Sequence, residues 1–313
     1  MLMRVDAHDS RPILSRRGLL LTPLLLAGCK QEATRQRVDP ALAPLIPPDT
    51  TMLFGARLDH LKKTSAWDQL FPAQGSIALE SLKKQTGLDI RTTTHEVVYC
   101  SGGKHRVALI RGKFVDGGST NAGLEPELKI DGAQKFPYKG FSLVGKEEEA
   151  VTFFNSSVAA VGRASALRQI IDNRELKNSI PMGLLAMVDA LPPESHFYVV
   201  SNRPELPAGG IGGIRSLPLA LTSFRAYLDL RAGASLRAEA SGASKEDAKK
   251  LHDAIKALVG LARVANKDKD LAAILDGIRF FQEGQIVKLE SDLSRETLRR
   301  GFDLLDSMGT TRA

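Results

Sequence analysis

The 313-residue sequence predicts an α+β fold made of two degenerate repeats of antiparallel hairpins and amphipathic helices, with the helices packed on one face of the sheet. Three observations lead to this prediction. Short segments of alternating apolar residues are joined by glycine or asparagine turns, as in β-hairpins. Apolar residues at helical spacing follow several of these hairpins. A strand start of similar sequence occurs twice, as Ile-Pro-Pro-Asp at residues 46–49 and Leu-Pro-Pro-Glu at residues 191–194.

The first repeat is predicted over residues 46–178. Its central feature is a hairpin that turns at Gly102 and Gly103. A helix is expected before this hairpin, with a kink at Pro72 and an end at Gly87. The predicted elements in order are a strand at 51–58, a helix at 64–87, strands at 96–100 and 105–114, a weakly helical stretch to about residue 130, strands at 136–138 and 141–145, a hairpin at 150–161 and a helix at 164–173.

The second repeat is predicted over residues 179–313. Strands are expected at 196–201, 224–230 and 235–241, and a last hairpin at 279–291. Ser244 and Asp247 form a capping-box pattern at the start of a helix. The apolar stripe of this helix consists of Ala248, Leu251, Ile255, Leu258 and Ala262. The final helix is expected to begin at Ser294 and to end at Gly309, and its predicted inward-facing residues are Leu298, Phe302 and Leu305.

The N-terminal 28 residues have the order of an export signal. Arg16 and Arg17 precede an apolar run at residues 19–27, and the small residue Gly28 follows it. A membrane-spanning helix needs about 20 apolar residues, and this run is under half that length and contains Pro23. The sequence therefore predicts a signal peptide at residues 1–28 and a flexible, proline-punctuated tether at residues 29–45.

The tetrapeptide Leu26-Ala27-Gly28-Cys29 resembles the lipobox of bacterial lipoproteins. This resemblance implies cleavage before Cys29 and diacylglycerol modification of its thiol, and hence a lipid-anchored location in the cell envelope. Residues 15–20 also look like a twin-arginine export motif, although an arginine pair serves equally well in an ordinary signal peptide. Lys30 follows the modified cysteine, which favours the periplasmic side of the outer membrane over the inner membrane. The mature part is similar in pattern to uncharacterised bacterial lipoproteins of the domain-of-unknown-function kind, which implies no active site.

Composition argues against nucleic acid as a partner. The formal net charge of the sequence at pH 7 is +7, and the charged residues are dispersed along the chain. Aromatic residues make up only 5% of the sequence. Nucleic-acid-binding proteins usually concentrate basic side chains into one patch and place stacking aromatics beside it. We therefore expect a membrane, reached through the lipid anchor, as the main partner.

The sequence contains weak candidates for chemistry, and none is assigned a role. Across the predicted Gly102-Gly103 turn, Cys100 would lie directly opposite His105. Nucleophilic catalysis by a thiol and an imidazole requires the two groups to be this close together. A third orienting group and oxyanion donors are not evident, so a half-buried cysteine is the simpler expectation. The six histidines are scattered and show no metal-ligand spacing. We predict no catalytic, cofactor-binding or metal residue, no cofactor, and one modified residue, Cys29.

The segment at residues 204–221 is unusual because four glycines stand among leucines and isoleucines. Such a loop is either an apolar flap that contacts a protein partner or an apolar ligand, or a loop that packs on its own half of the chain. The sequence as a whole favours a non-catalytic binding or scaffolding lipoprotein. The alternative is an envelope hydrolase or transferase with a dispersed active site.

Overall fold

The computed structural model describes residues 38–72, 80, 89–103, 105–114, 134–174, 181–203, 221–265 and 269–301. All of these belong to one compact unit, Arg35–Ala313. Within the described residues, twelve strands form one antiparallel sheet in the order β11-β12-β10-β9-β8-β1-β2-β3-β7-β6-β5-β4. The strands are β1 Met52–Arg57, β2 Thr94–Gly102, β3 His105–Gly112, β4 Gln134–Tyr138, β5 Phe141–Gly145, β6 Ala150–Asn155, β7 Val158–Gly162, β8 Phe197–Ser201, β9 Leu221–Asp229, β10 Ala234–Gly242, β11 Ile278–Glu283 and β12 Ile286–Leu293.

The helices are shorter than the strands in total length in the described part of the chain. They are a 3₁₀ helix at Ala43–Leu45, α1 Leu58–Leu61, α2 Trp67–Leu70, α3 Ala164–Asn173, α4 Met182–Asp189, α5 Lys245–Ala265 and α6 Lys269–Asp276. A further helix, α7, occupies residues 295–301 at the end of the described chain. None of the described helices is both long enough and apolar enough to span a bilayer.

The predicted fold of two hairpin-and-helix repeats is wrong, because one continuous sheet runs through both halves of the chain. β1 pairs along its length with β8, and Met52 lies opposite Ser201 while Ala56 lies opposite Phe197. β1 also pairs with β2 on its other side. The strand that begins each half is therefore buried at the centre of the sheet, where its backbone N–H and C=O groups are paired rather than left as an open edge.

The prediction that the helices pack on one face is also wrong. Directly paired residues of neighbouring strands share a face, so Leu53, Cys100 and Val107 define what we call the front face. Helices α3 and α4 cover this face beside the first half of the sheet. Helix α5 packs on the opposite, back face of the second half, where Ala248 and Leu251 contact Ala240 and Val287.

The front face becomes polar where the helices leave it. The pairing that starts at Leu53 continues through Val200 to Arg225 and then to Glu239. The Arg225 guanidinium donates to the Glu239 carboxylate at 2.9 Å through Nε. An amphipathic pattern fixes which side of a helix is apolar, but it does not fix which face of a sheet that helix will cover.

The C-terminal part of the predicted tether, from Val38 onward, belongs to the core instead. Val38, Leu42, Leu45 and Ile46 are 6%, 0%, 6% and 1% exposed and pack against the front face. A segment that contains several prolines is typical of a linker, and its composition therefore predicted a tether. Its apolar side chains lie among the prolines and are nevertheless buried. Any linker between Cys29 and the folded body therefore ends before Val38.

The predicted strands agree with the structure to within a few residues, because alternation and turn residues are local signals. The helices agree less well. In the described part of residues 64–87, α2 spans Trp67–Leu70 and ends before Phe71 and Pro72, because a residue before proline is disfavoured in the helical region, and Glu80 is again helical. Helix α4 was not anticipated, and the weakly helical stretch near residue 130 lies outside the described residues.

Helix capping follows the sequence. The Asp247 backbone N–H donates to Ser244 Oγ at 3.0 Å at the start of α5, and the Thr297 N–H donates to Ser294 Oγ at 3.1 Å at the start of α7. The apolar stripe of α5 is buried only in its first half. Ala262 is exposed, as are Leu261 and Val264 beside it. Phe302, Leu305 and Gly309 lie outside the described residues.

Candidate functional site

A buried carboxylate on the front face is the most unusual polar group in the described structure. Glu96 alternates along β2 with Val98 and Cys100, so its side chain points into the core side of the strand. Its direct neighbours across the sheet are Arg57 on β1 and Arg111 on β3. Glu96 is 6% exposed, which is rare for a glutamate because burying a carboxylate is costly.

The N-terminal segment passes directly over Glu96. The backbone N–H of Asp39 donates a hydrogen bond to the Glu96 carboxylate. The Asp39 carboxylate in turn pairs with Arg111, with Oδ2 and Nε 3.4 Å apart. The first described residues of the chain are thus held in place at this row of charges.

An open cleft of about 370 Å³ lies at this position. Its walls come from the N-terminal segment, the ends of β1, β2 and β3, and the turn between β6 and β7. We refer to it as the Glu96 cleft, and its lining residues are Asp39, Arg57, Asp59, His95, Glu96, Arg111, Gly112, Lys113 and Ser157.

Electrostatics make Glu96 titratable near neutrality. The pKa of Glu96 is raised to about 7, mainly by burial; the Arg57 guanidinium opposes this shift, and the carboxylates of Asp39 and Asp59 contribute to it. Its Oε1 atom is buried and has no hydrogen-bond partner among the described residues. A buried polar atom without a partner is costly, so this oxygen is poised to accept a hydrogen bond from a ligand donor.

A larger cleft, of about 900 Å³, lies at the β2–β3 hairpin. The charged residues that line it, Arg106, Glu148, Glu149 and Arg163, are all exposed to solvent. His105 also lines this cleft, and its Nε2 is 3.8 Å from the carboxylate of Asp49. These solvated charges lack a buried polar group aimed at a common point, so the Glu96 cleft is the stronger candidate.

The predicted juxtaposition of Cys100 and His105 is wrong. The register places Cys100 opposite Val107 and His105 opposite Gly102, because the hairpin turns one residue later than the two glycines suggest. Cys100 is 1% exposed, and burial raises the pKa of its thiol far above the ordinary value. This thiol is therefore a core residue rather than a nucleophile.

We expect Cys100 to be unreactive in the folded protein. Its sulfur is enclosed by apolar side chains and is held in the protonated form, and thiol reagents attack the thiolate. Ellman's reagent should label Cys100 at the rate of global unfolding in native buffer, and within the mixing time in denaturing guanidinium. Rapid labelling under native conditions would contradict the burial of this residue.

A buried histidine, His196, serves the fold. It is 2% exposed, and its Nδ1 accepts a hydrogen bond from the Leu230 N–H at 3.1 Å. Burial lowers the pKa of His196, which keeps the ring neutral and able to accept this bond. Among the described residues, no cluster of histidine, cysteine or carboxylate side chains has an arrangement that could hold a metal ion.

Two features that the sequence analysis selected lie outside the residues that the structure describes. Cys29 and residues 204–220 are outside the described residues, and residue 221 of the glycine-rich segment begins β9. The signal that could have located the Glu96 cleft was present in β2. Glu96 occupies an inward-facing position of β2, in the same row as the apolar residues Val98 and Cys100. A carboxylate at such a position is unusual and indicates a candidate functional residue.

Comparison with known proteins gives little beyond the geometry. No protein-family model matches the chain, and no curated protein matches it. Among solved structures, crystal forms III, I and IV of TP0453 are similar to it, with 14%, 13% and 10% sequence identity and TM-scores of 0.47, 0.47 and 0.49. These similarities cover 83%, 85% and 84% of this chain and 96%, 96% and 95% of the TP0453 chains. At this level of similarity they carry no argument about function.

Proposed function

We propose that this protein is a cell-envelope lipoprotein, held by a diacylglycerol group on Cys29 at the periplasmic side of the outer membrane. We infer that its role is to bind or to scaffold rather than to catalyse. Export would use the signal at residues 1–28, with Arg16 and Arg17 as its twin-arginine pair. The lipobox-like sequence Leu26-Ala27-Gly28-Cys29 is the observation that carries this proposal.

The lipid anchor would be strong enough to hold the chain permanently. Each buried methylene contributes about 0.8 kcal/mol, so a single chain binds reversibly while two chains on one residue give stable anchoring. Val38 is already buried in the folded body, nine residues after Cys29. An extended chain spans at most about 3.3–3.6 Å per residue, so the folded body would lie within about 30 Å of the bilayer surface.

The burial of the second cysteine supports a binding role over thiol catalysis. If Cys29 carries lipid, Cys100 is the one remaining thiol of the sequence, and it is enclosed in the core. The Glu96 cleft, by contrast, is open, and the buried Oε1 of Glu96 has no hydrogen-bond partner in the described part of the chain. An open cleft with one unsatisfied acceptor fits recognition of a small polar group.

We expect Cys29→Ser to change the size or the membrane fractionation of the protein. Serine has no thiol to modify, so the signal peptide should stay attached or the chain should appear in the soluble fraction. Fractionation of cells that express the wild type and the variant tests this directly. Cys100→Ala is the matched control, and it should fractionate with the membrane like the wild type. Identical fractionation and size of Cys29→Ser and the wild type would contradict the anchor.

A further inference from the structure

We propose that the Glu96 cleft binds the ethanolamine headgroup of a phospholipid, with the primary ammonium at Glu96 and the phosphate among the basic side chains at the rim. This inference rests on the proposed anchoring at Cys29 for the source of the headgroup. It names the ligand of the binding role proposed above.

The ammonium follows from the unsatisfied oxygen of Glu96. Glu96 lines the cleft, and its Oε1 is a buried atom that has no donor among the described residues. A ligand N–H group that reached this oxygen would form a charge-assisted hydrogen bond. A cationic donor can also interact with the nearby carboxylates of Asp39 and Asp59, whose effect on Glu96 opposes that of the Arg57 guanidinium.

A primary amine is required rather than a quaternary one. Ethanolamine presents N–H donors, whereas the trimethylammonium of choline presents only methyl groups, which cannot satisfy Oε1. Quaternary ammonium groups are usually recognised by aromatic faces, and no Phe, Tyr or Trp is among the described residues that line this cleft. The site should therefore distinguish the two commonest zwitterionic headgroups.

Basic side chains at the rim of the Glu96 cleft would bind the phosphate group of the ligand. Arg57, His95 and Lys113 line the same cleft, and His95 and Lys113 are exposed to solvent. With Glu96 ionised, the carboxylates of Asp39, Asp59 and Glu96 balance the cations of Arg57, Arg111 and Lys113. A zwitterion leaves this balance unchanged, whereas a simple cation or anion would disturb it.

The lipid source follows from where the chain joins the folded body. Asp39 lines the cleft and is the second described residue, so the segment that leads back to Cys29 starts at the cleft itself. Asp39 is the tenth residue after Cys29, which gives the connecting chain a reach of at most about 35 Å. An anchored protein meets headgroups at a high effective concentration, so even weak affinity would suffice for occupancy.

The test uses the full, naturally matured chain in two arms. In the first arm, calorimetry measures the affinity for free phosphoethanolamine and for phosphocholine. We expect phosphoethanolamine to bind about tenfold more tightly or better, as one charge-assisted hydrogen bond implies. Glu96→Gln should remove this preference, and Glu148→Gln, the same change in the other cleft, should keep it.

In the second arm, the protein is held by its own anchor in vesicles of phosphatidylcholine alone or mixed with phosphatidylethanolamine. Hydrogen exchange of the Asp39 amide, which donates to Glu96, should slow when phosphatidylethanolamine is present, and Glu96→Gln should abolish the difference. Equal exchange in both vesicles would overturn a phospholipid as occupant, even if free phosphoethanolamine binds.

The two proposals fail in different ways. A lipid-modified Cys29 combined with equal affinity for the two free headgroups would overturn the ethanolamine site and leave the anchor standing. An unmodified Cys29 in the naturally matured chain would overturn the anchor, and with it the phospholipid source of the ligand, even if phosphoethanolamine still bound.

Discussion

Gly55→Ala is expected to lower the free energy of unfolding by about 3 kcal/mol or more, because its new methyl group would overlap the ring of Tyr198. Gly55 on β1 lies directly opposite Tyr198 on β8, and a Cβ atom at Gly55 would be 2.0 Å from Tyr198 Cζ. Tyr198 is 1% exposed, so neighbouring side chains prevent its ring from moving away. The overlap would fall on the strand pair that joins the two halves of the sheet. Chemical denaturation monitored by circular dichroism measures the loss.

Three further variants make this prediction specific. Gly260→Ala lies in α5 with open space around it and should raise stability by up to about 1 kcal/mol through helix propensity. In a Tyr198→Ala background, Gly55→Ala should cost much less, since the ring that it overlaps is gone. Tyr198→Phe should be close to neutral, because it removes a buried hydroxyl that has no partner among the described residues. An equal cost of Gly55→Ala with and without Tyr198 would contradict the contact.

Glu96→Gln is expected to stabilise the protein at pH 8 by up to about 3 kcal/mol and to leave it unchanged at pH 4. The pKa of Glu96 is raised from 4.5 to about 7 in the folded protein. Between these values the folded state binds more protons than the unfolded state, so this residue makes stability fall as the pH rises from 4.5 to 7. Glutamine carries no charge to bury, and the variant should lose this slope.

Denaturant titrations across pH 4 to 9 test the prediction, with Glu148→Gln as the exposed matched control. Wild type and Glu148→Gln should share the downward slope between pH 4.5 and 7, and Glu96→Gln should lack it. The lowered pKa of His196 acts in the opposite direction. Below pH 6.5 the unfolded state binds a proton on this histidine more readily than the folded state does, so the protein loses stability as the pH falls through 6.5. His196 is present in all three proteins, so its contribution cancels in the comparison. Parallel curves for all three would contradict the burial of an ionisable Glu96.

The local parts of the fold are predictable from sequence, and the long-range parts are not. Alternating residues in β2 and β3 and the glycines between them identify the hairpin, because both signals act within a few residues. The pairing of β1 with β8 depends on residues far apart in the chain, and Gly55 opposite Tyr198 becomes meaningful only once that pairing is known. The same holds for α5, whose apolar side was predicted although the face of the sheet that it covers was not.

The candidate site shows the same division. Glu96 could have been marked from its inward position in β2, since an unaccompanied carboxylate among apolar residues is unusual. Its neighbours Arg57 and Asp39 come from separate segments, and composition suggested that the segment containing Asp39 was a linker. The titratable group can therefore be predicted from the sequence, whereas the cleft around it cannot.

The most direct test of this account is mass spectrometry of the N-terminal peptide of the protein isolated from its own membrane. The account predicts a chain that begins at Cys29 and carries a diacylglycerol group on that sulfur. A peptide in which Cys29 is unmodified, or in which residues 1–28 remain attached, would contradict the anchor and the membrane-facing role proposed for the Glu96 cleft.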